Sequence, residues 1–233
     1  MEQAKKPVIF SFGNMKGGVG KSTLTTVLAN YIHHASKFSV CICDCDDKQL
    51  TIQHWREEDL KKGFKEDDQY DIHPIKSKQF PDQVPQLNNL GYHFVGIDLP
   101  GNILQEGVMP SYAMVDLLFV PFNYNETDFD STLKFLDEYK KVDELRQSLG
   151  YPPAEKFMVF SKIDKRMGHV KELDGIRESS VVPILRNFFP YSPAVFGRDA
   201  TTSQIYKKGD RDTEMLCEEL VERLVDVHNK LNS

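Results

Sequence analysis

Lys16-Gly17-Gly18-Val19-Gly20-Lys21-Ser22-Thr23 joins an apolar run, Val8-Ile9-Phe10-Ser11-Phe12, to an amphipathic helical pattern. Strand, glycine loop, helix is an arrangement that cradles phosphate. Glycines let backbone N–H groups close around phosphate oxygens without Cβ clashes, and the helix N-terminus adds partial positive charge. Lys21 can reach the β- and γ-phosphates, and the Ser22 hydroxyl can ligate Mg²⁺. The loop departs from the plain pattern G-x-x-x-x-G-K-[ST]: Met15 takes the first glycine position, and Lys16 opens the glycine run.

Two acidic stretches extend this chemistry. Phe94-Val95-Gly96-Ile97 ends in Asp98, followed by Leu99-Pro100-Gly101. A buried strand fixes such a carboxylate beside the loop, where it can hold Mg²⁺ directly or through water. The plainer alternative for Asp98 is a strand-end turn former. Gly101 can offer its backbone N–H to a γ-phosphate and shift when that phosphate leaves. Asp44-Cys45-Asp46-Asp47-Lys48-Gln49 closes another strand. In a doubly wound sheet the carboxyl ends of neighbouring strands line one crevice, which puts Asp44 and Asp46 near the triphosphate. There a carboxylate can orient the attacking water and accept its proton.

These residues need a scaffold, and the hydrophobic pattern supplies one. Strand-like runs are Val8–Phe12, Val40–Cys43, Tyr70–Ile75, His93–Ile97, Leu117–Pro121, Lys156–Phe160 and Val181–Leu185. Several are nearly continuous in apolar character, as in a parallel sheet covered on both faces. Helical spacing links Leu24, Val27, Leu28, Tyr31 and Ile32. A longer helix is predicted from Glu126 to Leu149, capped by Asn125, with Leu133, Leu136, Tyr139, Val142, Leu145 and Leu149 as its stripe. A last helix, Thr213 to Leu231, carries Leu216, Leu220, Leu224, Val227 and Leu231, and its other face is acidic. The charge-dense stretch Glu57–Asp71 reads as a solvated insertion, with a partner-binding surface as the competing reading. The fold class is therefore α/β: one domain over residues 1–233, with a mostly parallel twisted sheet and helices on both faces.

Composition limits the setting. Of 233 residues, 40% are apolar, enough for one large α/β core. The start of the chain runs into the first strand without the apolar stretch of a signal peptide, and no run is long enough to span a bilayer. The expected location is cytoplasmic. A net charge of -6 argues against a strongly basic nucleic-acid binder. Cys41, Cys43 and Cys45 alternate along one strand and read as buried thiols, as does Cys217; a metal site is the competing reading.

The loop with its additional lysine resembles the deviant Walker A motif of the ParA/MinD superfamily of P-loop NTPases. Asp44-Cys45-Asp46-Asp47-Lys48-Gln49 is similar to that superfamily's D-x-D-P-Q segment, and Asp98-Leu99-Pro100-Gly101 to its Walker B end. The similarity continues through Met114-Val115-Asp116-Leu117-Leu118-Phe119-Val120-Pro121. The likeness is greatest to small ParA-type partition or conjugative-element proteins. It implies an ATPase that binds ATP-Mg²⁺ and forms a sandwich homodimer. Gly17, Gly18, Val19, Gly20, Lys21, Ser22, Thr23 and Gly101 would bind nucleotide, and Pro190 would border the base. Ser22 and Asp98 would hold Mg²⁺, with Asp44 in support. Lys16 would be the signature lysine that reaches the partner's nucleotide, Lys21 the β/γ-phosphate lysine, and Asp46 the water-positioning carboxylate. Lys48 stands where the family has proline, so a φ restraint is lost there.

The resemblance also implies slow hydrolysis stimulated by a ParB-like or other activator, and nonspecific DNA binding by the ATP dimer. Arg186, Arg198, Lys207, Lys208 and Arg211 are the basic candidates. Competing readings are a MinD-like membrane switch, a metal-cluster carrier, a tyrosine kinase and a nucleotide-dependent scaffold. The acidic last helix disfavours the membrane, a single cysteine after Asp98 disfavours the cluster, and no tyrosine cluster follows Tyr206. Ser161-Lys162-Ile163-Asp164 faintly resembles a guanine-reading motif, which keeps GTP as the minor alternative.

Overall fold

The computed structural model describes residues 5–47, 49–167, 172–192, 195, 201–203, 205 and 210–233. In chain order the main elements are β1 (Val8–Phe12), α1 (Lys21–Ala35), β2 (Val40–Asp44), α2 (Thr51–Lys61), β3 (Asp71–Pro74), α3 (Phe80–Asn88) and β4 (Phe94–Asp98). Then follow α4 (Val108–Tyr112), β5 (Leu117–Phe122), α5 (Glu126–Ser148), β6 (Glu155–Phe160), α6 (Leu173–Ser179) and α7 (Arg211–Leu231). The six strands form one sheet in the order β3-β2-β4-β1-β5-β6, and every described pairing is parallel.

Burial explains the strand sequences. Every residue of β1, β2, β4 and β5 is buried, so both faces of each strand meet a core, and alternation gives way to continuous apolar runs. Leu24, Leu28, Ile52, Leu216 and Leu220 cover one face, from α1, α2 and α7. Phe80, Tyr112, Phe135, Tyr139 and Leu173 cover the other, from α3 to α6. Edge strand β3 is only partly buried. Cys41, Cys43, Cys45 and Cys217 are buried free thiols.

Three expectations change. Val181–Leu185 is not a strand: it makes one isolated bridge, Met158 to Ile184, and Val181 is 99% exposed. Pro183 has no N–H for a continuing ladder. The buried face of α5 is Asp128, Thr132, Phe135, Tyr139, Val142 and Arg146, while Leu133 and Leu149 are exposed. Polar Asp128 and Thr132 face inward because both bond to the loop after β1 or to its flanks. The charge-dense stretch is partly structural. Helix α2 begins at Thr51 and runs into it, and its Arg56 and Asp59 are buried. Thr202 donates to Asp59 at 2.5 Å, and Ser203 donates its backbone N–H at 2.7 Å. Arg56 donates to Glu66 at 2.7 Å and to the Tyr70 carbonyl at 2.8 Å. The predicted Asn125 cap is present, its side chain accepting from the Asp128 N–H at 2.9 Å.

Candidate functional site

The sheet order places the three chemistry-bearing segments together. β4 lies between β1 and β2, so the loop after β1 flanks Asp98, and Asp98 is in register with Asp44. The carboxyl ends of these strands open into a cleft of about 370 Å³. Gly17, Gly18, Gly20, Lys21, Ser22, Thr23, Asp46 and Gly101 line it.

Local geometry shows why those residue types are needed. Gly18 and Gly20 have φ of 74° and 97°, a left-handed backbone that turns the loop into α1. A Cβ on Gly101 would lie 2.5 Å from the Asn14 carbonyl and 3.3 Å from the Lys21 ammonium, so only glycine lets the two loops approach. Val19, also expected to bind nucleotide, is fully buried and absent from the lining. Asn14 is also fully buried. It donates to the Pro121 carbonyl and to Thr132, each at 2.9 Å, and accepts the Lys16 N–H at 3.0 Å.

Burial lowers the Lys21 pKa, against the opposing pull of Asp98 and Asp46. Ser22 donates to Asp98 Oδ2 at 2.6 Å. Asp98 is 2% exposed, and its Oδ1 has no hydrogen-bond partner. Burial pushes its pKa up to about 7, with Asp44 and Asp46 adding to the rise and Ser22 and Lys21 opposing it. A desolvated carboxylate with one oxygen unsatisfied, bonded to a hydroxyl at a phosphate loop, fits a divalent cation. Ser22 and Asp98 are the residues that would hold Mg²⁺, and the bound ion would neutralise charge on phosphate oxygens.

Other predicted residues take different positions. Asp44 does not line the cleft; its Oδ2 accepts from the N–H groups of Ile52 and Gln53, both at 3.0 Å, and so caps α2. Burial raises its pKa. Lys16 lies beside the cleft, its ammonium 3.4 Å from Asp128 in the first turn of α5. Pro190 is absent from the lining and pairs with Ile163. Lys48 lies outside the described residues.

The cleft also contains residues that the sequence did not single out, Trp55, Thr51 and Asn102, together with Lys162 of the weak guanine-like motif. Asn102 could have been found as the neighbour of Gly101. Trp55 gave no motif signal, because its role depends on how α2 packs. Lys162 adopts φ of 58° at the end of β6. The Asp164 carboxylate accepts from Arg166 Nε at 2.9 Å and Nη2 at 2.6 Å, an exposed pair that holds its pKa at about 2.

A parallel sheet with a glycine loop, a Ser–Asp pair whose carboxylate is buried and a second carboxylate on one cleft defines a phosphate-loop nucleotide-binding protein. The CobQ/CobB/MinD/ParA nucleotide-binding domain matches residues 10–205, and the chain belongs to that family. A search of curated protein sequences gave no significant match. Among solved structures, a putative plasmid partition protein of Borrelia burgdorferi bound to AMPPNP superposes with a TM-score of 0.64. It is 17% identical over 95% of this chain and 99% of its own. The MinD cell division protein of Aquifex aeolicus gives 0.68 at 15% identity, over 94% of this chain and 97% of its own. Cobyrinic acid a,c-diamide synthase of Mycobacterium smegmatis, with bound ADP and magnesium, gives 0.64 at 14% identity, over 93% and 95%. At these identities the likeness is one of fold.

Proposed function

We propose that this chain is a ParA-like switch: one domain over residues 1–233 that binds ATP-Mg²⁺, dimerises around the nucleotide and hydrolyses it slowly. The observation that carries this reading is the convergence of Lys21, Ser22–Asp98 and Asp46 on one cleft, with Lys16 held beside that cleft. Lys21 neutralises the β/γ-phosphates, and Asp46 orients water. Lys16 rests on Asp128 of its own chain and completes the partner's site on dimerisation, which links nucleotide state to assembly. Lys16, the additional lysine of the loop, favours ATP over GTP.

The process is DNA segregation or mobile-element maintenance in the cytoplasm, with a ParB-like activator. No helix among the described residues is long and apolar enough to cross a membrane. Of the basic DNA-contact candidates, Arg186 and Arg211 are exposed, and Arg198, Lys207 and Lys208 lie outside the described residues. Phosphate release from the wild type and from Asp46→Ala tests the reading. Release that is stimulated by DNA or an activator and lost in the variant supports it. Equal, background release from both would remove the catalytic claim and leave a nucleotide-dependent scaffold.

A further inference from the structure

Asp47 has no part in the site described above, although it adjoins Asp46. Its carboxylate reaches a residue 30 positions along the chain. Oδ1 accepts the Ser77 backbone N–H at 2.9 Å and Oδ2 accepts the Ser77 hydroxyl at 2.8 Å. Ser77 is fully buried and opens the short 3₁₀ turn Ser77–Gln79 that leads into α3. Its carbonyl in turn accepts the hydroxyl of fully buried Ser111 in α4. α4 is the first helix after the Gly101 loop, and its entry is packed on the same turn. At Gly107, with φ of 80°, a Cβ would lie 2.6 Å from the Lys78 Cβ. Three separate segments therefore meet at Ser77.

We propose that Asp47 is a positioning residue for the nucleotide site. By clamping Ser77, it fastens the Asp46 loop to α4, so that the loops carrying Asp46 and Gly101 keep a fixed relation across the cleft. The proposal rests on the reading of Asp46 as the water-orienting group. The physical case is one of restraint. The segment from Asp44 to Gln49 contains no proline and no disulfide, so its own covalent structure leaves φ free. Asp46 holds the following turn through the N–H groups of Gln49, at 3.2 Å to its carboxylate, and Leu50, at 3.0 Å to its carbonyl. Those bonds shape the C-terminal half of the loop, while its start is held to β4 by the Cys45 N–H, which donates to the Asp98 carbonyl at 2.9 Å. The two bonds from Ser77 to Asp47 are charge-assisted and bidentate, the geometry that fixes direction as well as distance. They are a tertiary anchor on the C-terminal side of Asp46, the side that Cys45 does not hold. A displacement of about 1 Å in a water-positioning group costs turnover far more than it costs nucleotide affinity.

The test compares Asp47→Ala, Asp47→Asn and Ser77→Ala in the full chain. Asp47→Ala is expected to lower kcat for ATP about tenfold or more while KM and the affinity for a non-hydrolysable ATP analogue stay within about twofold. Asp47→Asn keeps one acceptor oxygen and Ser77→Ala keeps the backbone donor, so both should fall between Asp47→Ala and the wild type. Amide hydrogen exchange gives a readout that does not depend on hydrolysis. In Asp47→Ala, residues 45–50, 77–79 and 108–112 should exchange faster together, while β1 and β4 are unchanged. An unchanged kcat in Asp47→Ala, with Asp46→Ala impaired, would overturn the clamp and leave the proposed function standing. Background hydrolysis by the wild type would remove the function reading, and exchange would then decide alone. Faster exchange confined to residues 45–50, or none, would overturn the clamp.

Discussion

Residue by residue, the site is a set of groups whose neighbours decide their chemistry. Lys16 and Lys21 are five positions apart, yet one lies beside Asp128 and the other is half-buried in the cleft between Asp98 and Asp46. Lys16→Ala should therefore abolish ATP-dependent dimerisation and hydrolysis while retaining nucleotide binding, and Lys21→Ala should weaken binding itself. Calorimetry with an ATP analogue, paired with light scattering, separates the two. Asp98 gives a pH prediction. Its pKa in the folded, cation-free protein is about 7, above the usual carboxylate value near 3.9 in the unfolded chain. A raised folded pKa means that its stabilising contribution is full below about pH 4 and is lost as the pH rises through about 7. Asp98→Asn should raise the melting temperature of the nucleotide-free protein at pH 8 and shrink the difference from wild type at pH 5. The same variant should lose Mg²⁺-dependent nucleotide binding. A melting temperature below wild type at pH 8 would contradict the buried-charge assignment.

Among the elements, α2 is the one that sequence reading undervalued. Its charged residues resemble a solvated face, but Arg56 and Asp59 tie the helix to Glu66, Tyr70, Thr202 and Ser203. No spacing rule reveals this, because the partners of Asp59 lie more than 140 positions away in the chain. Asp59→Ala strands the Ser203 N–H and leaves the Thr202 hydroxyl only its longer bond to Gln69, and should cost about 1–3 kcal/mol in urea unfolding. Glu58→Ala, on the exposed face, should change stability by less than about 0.5 kcal/mol. The same lesson applies to α5. A leucine at helical spacing, Leu133, is exposed, whereas Thr132 and Asp128 face inward, because the loop after β1 needs polar partners there. Trp55, the single tryptophan, lies on α2 in the cleft, so its fluorescence should change when ATP-Mg²⁺ binds to the wild type. Lys21→Ala should need far more nucleotide for the same change.

For the whole molecule, the prediction concerns assembly. With ATP-Mg²⁺ the protein should double in mass, and a ligand bound only by the folded form should also raise the melting temperature. The ATP form should gain affinity for duplex DNA that falls steeply between low and physiological salt. Salt-independent or absent binding would separate nucleotide switching from DNA partition. The parallel class, six of the seven expected strands and the glycine loop were legible in the sequence. Buried parallel strands demand continuous apolar runs, and a phosphate loop demands glycines followed by Lys and Ser at fixed spacing. Those constraints act between neighbours in the chain, so the sequence alone determined them. Only the tertiary structure decided that Asp44 caps α2, that Pro190 stands off the cleft, that Trp55 and Lys162 line it, and that Asp47 reaches Ser77. Each depends on contacts between residues distant in sequence, whose geometry exists only once the sheet has assembled.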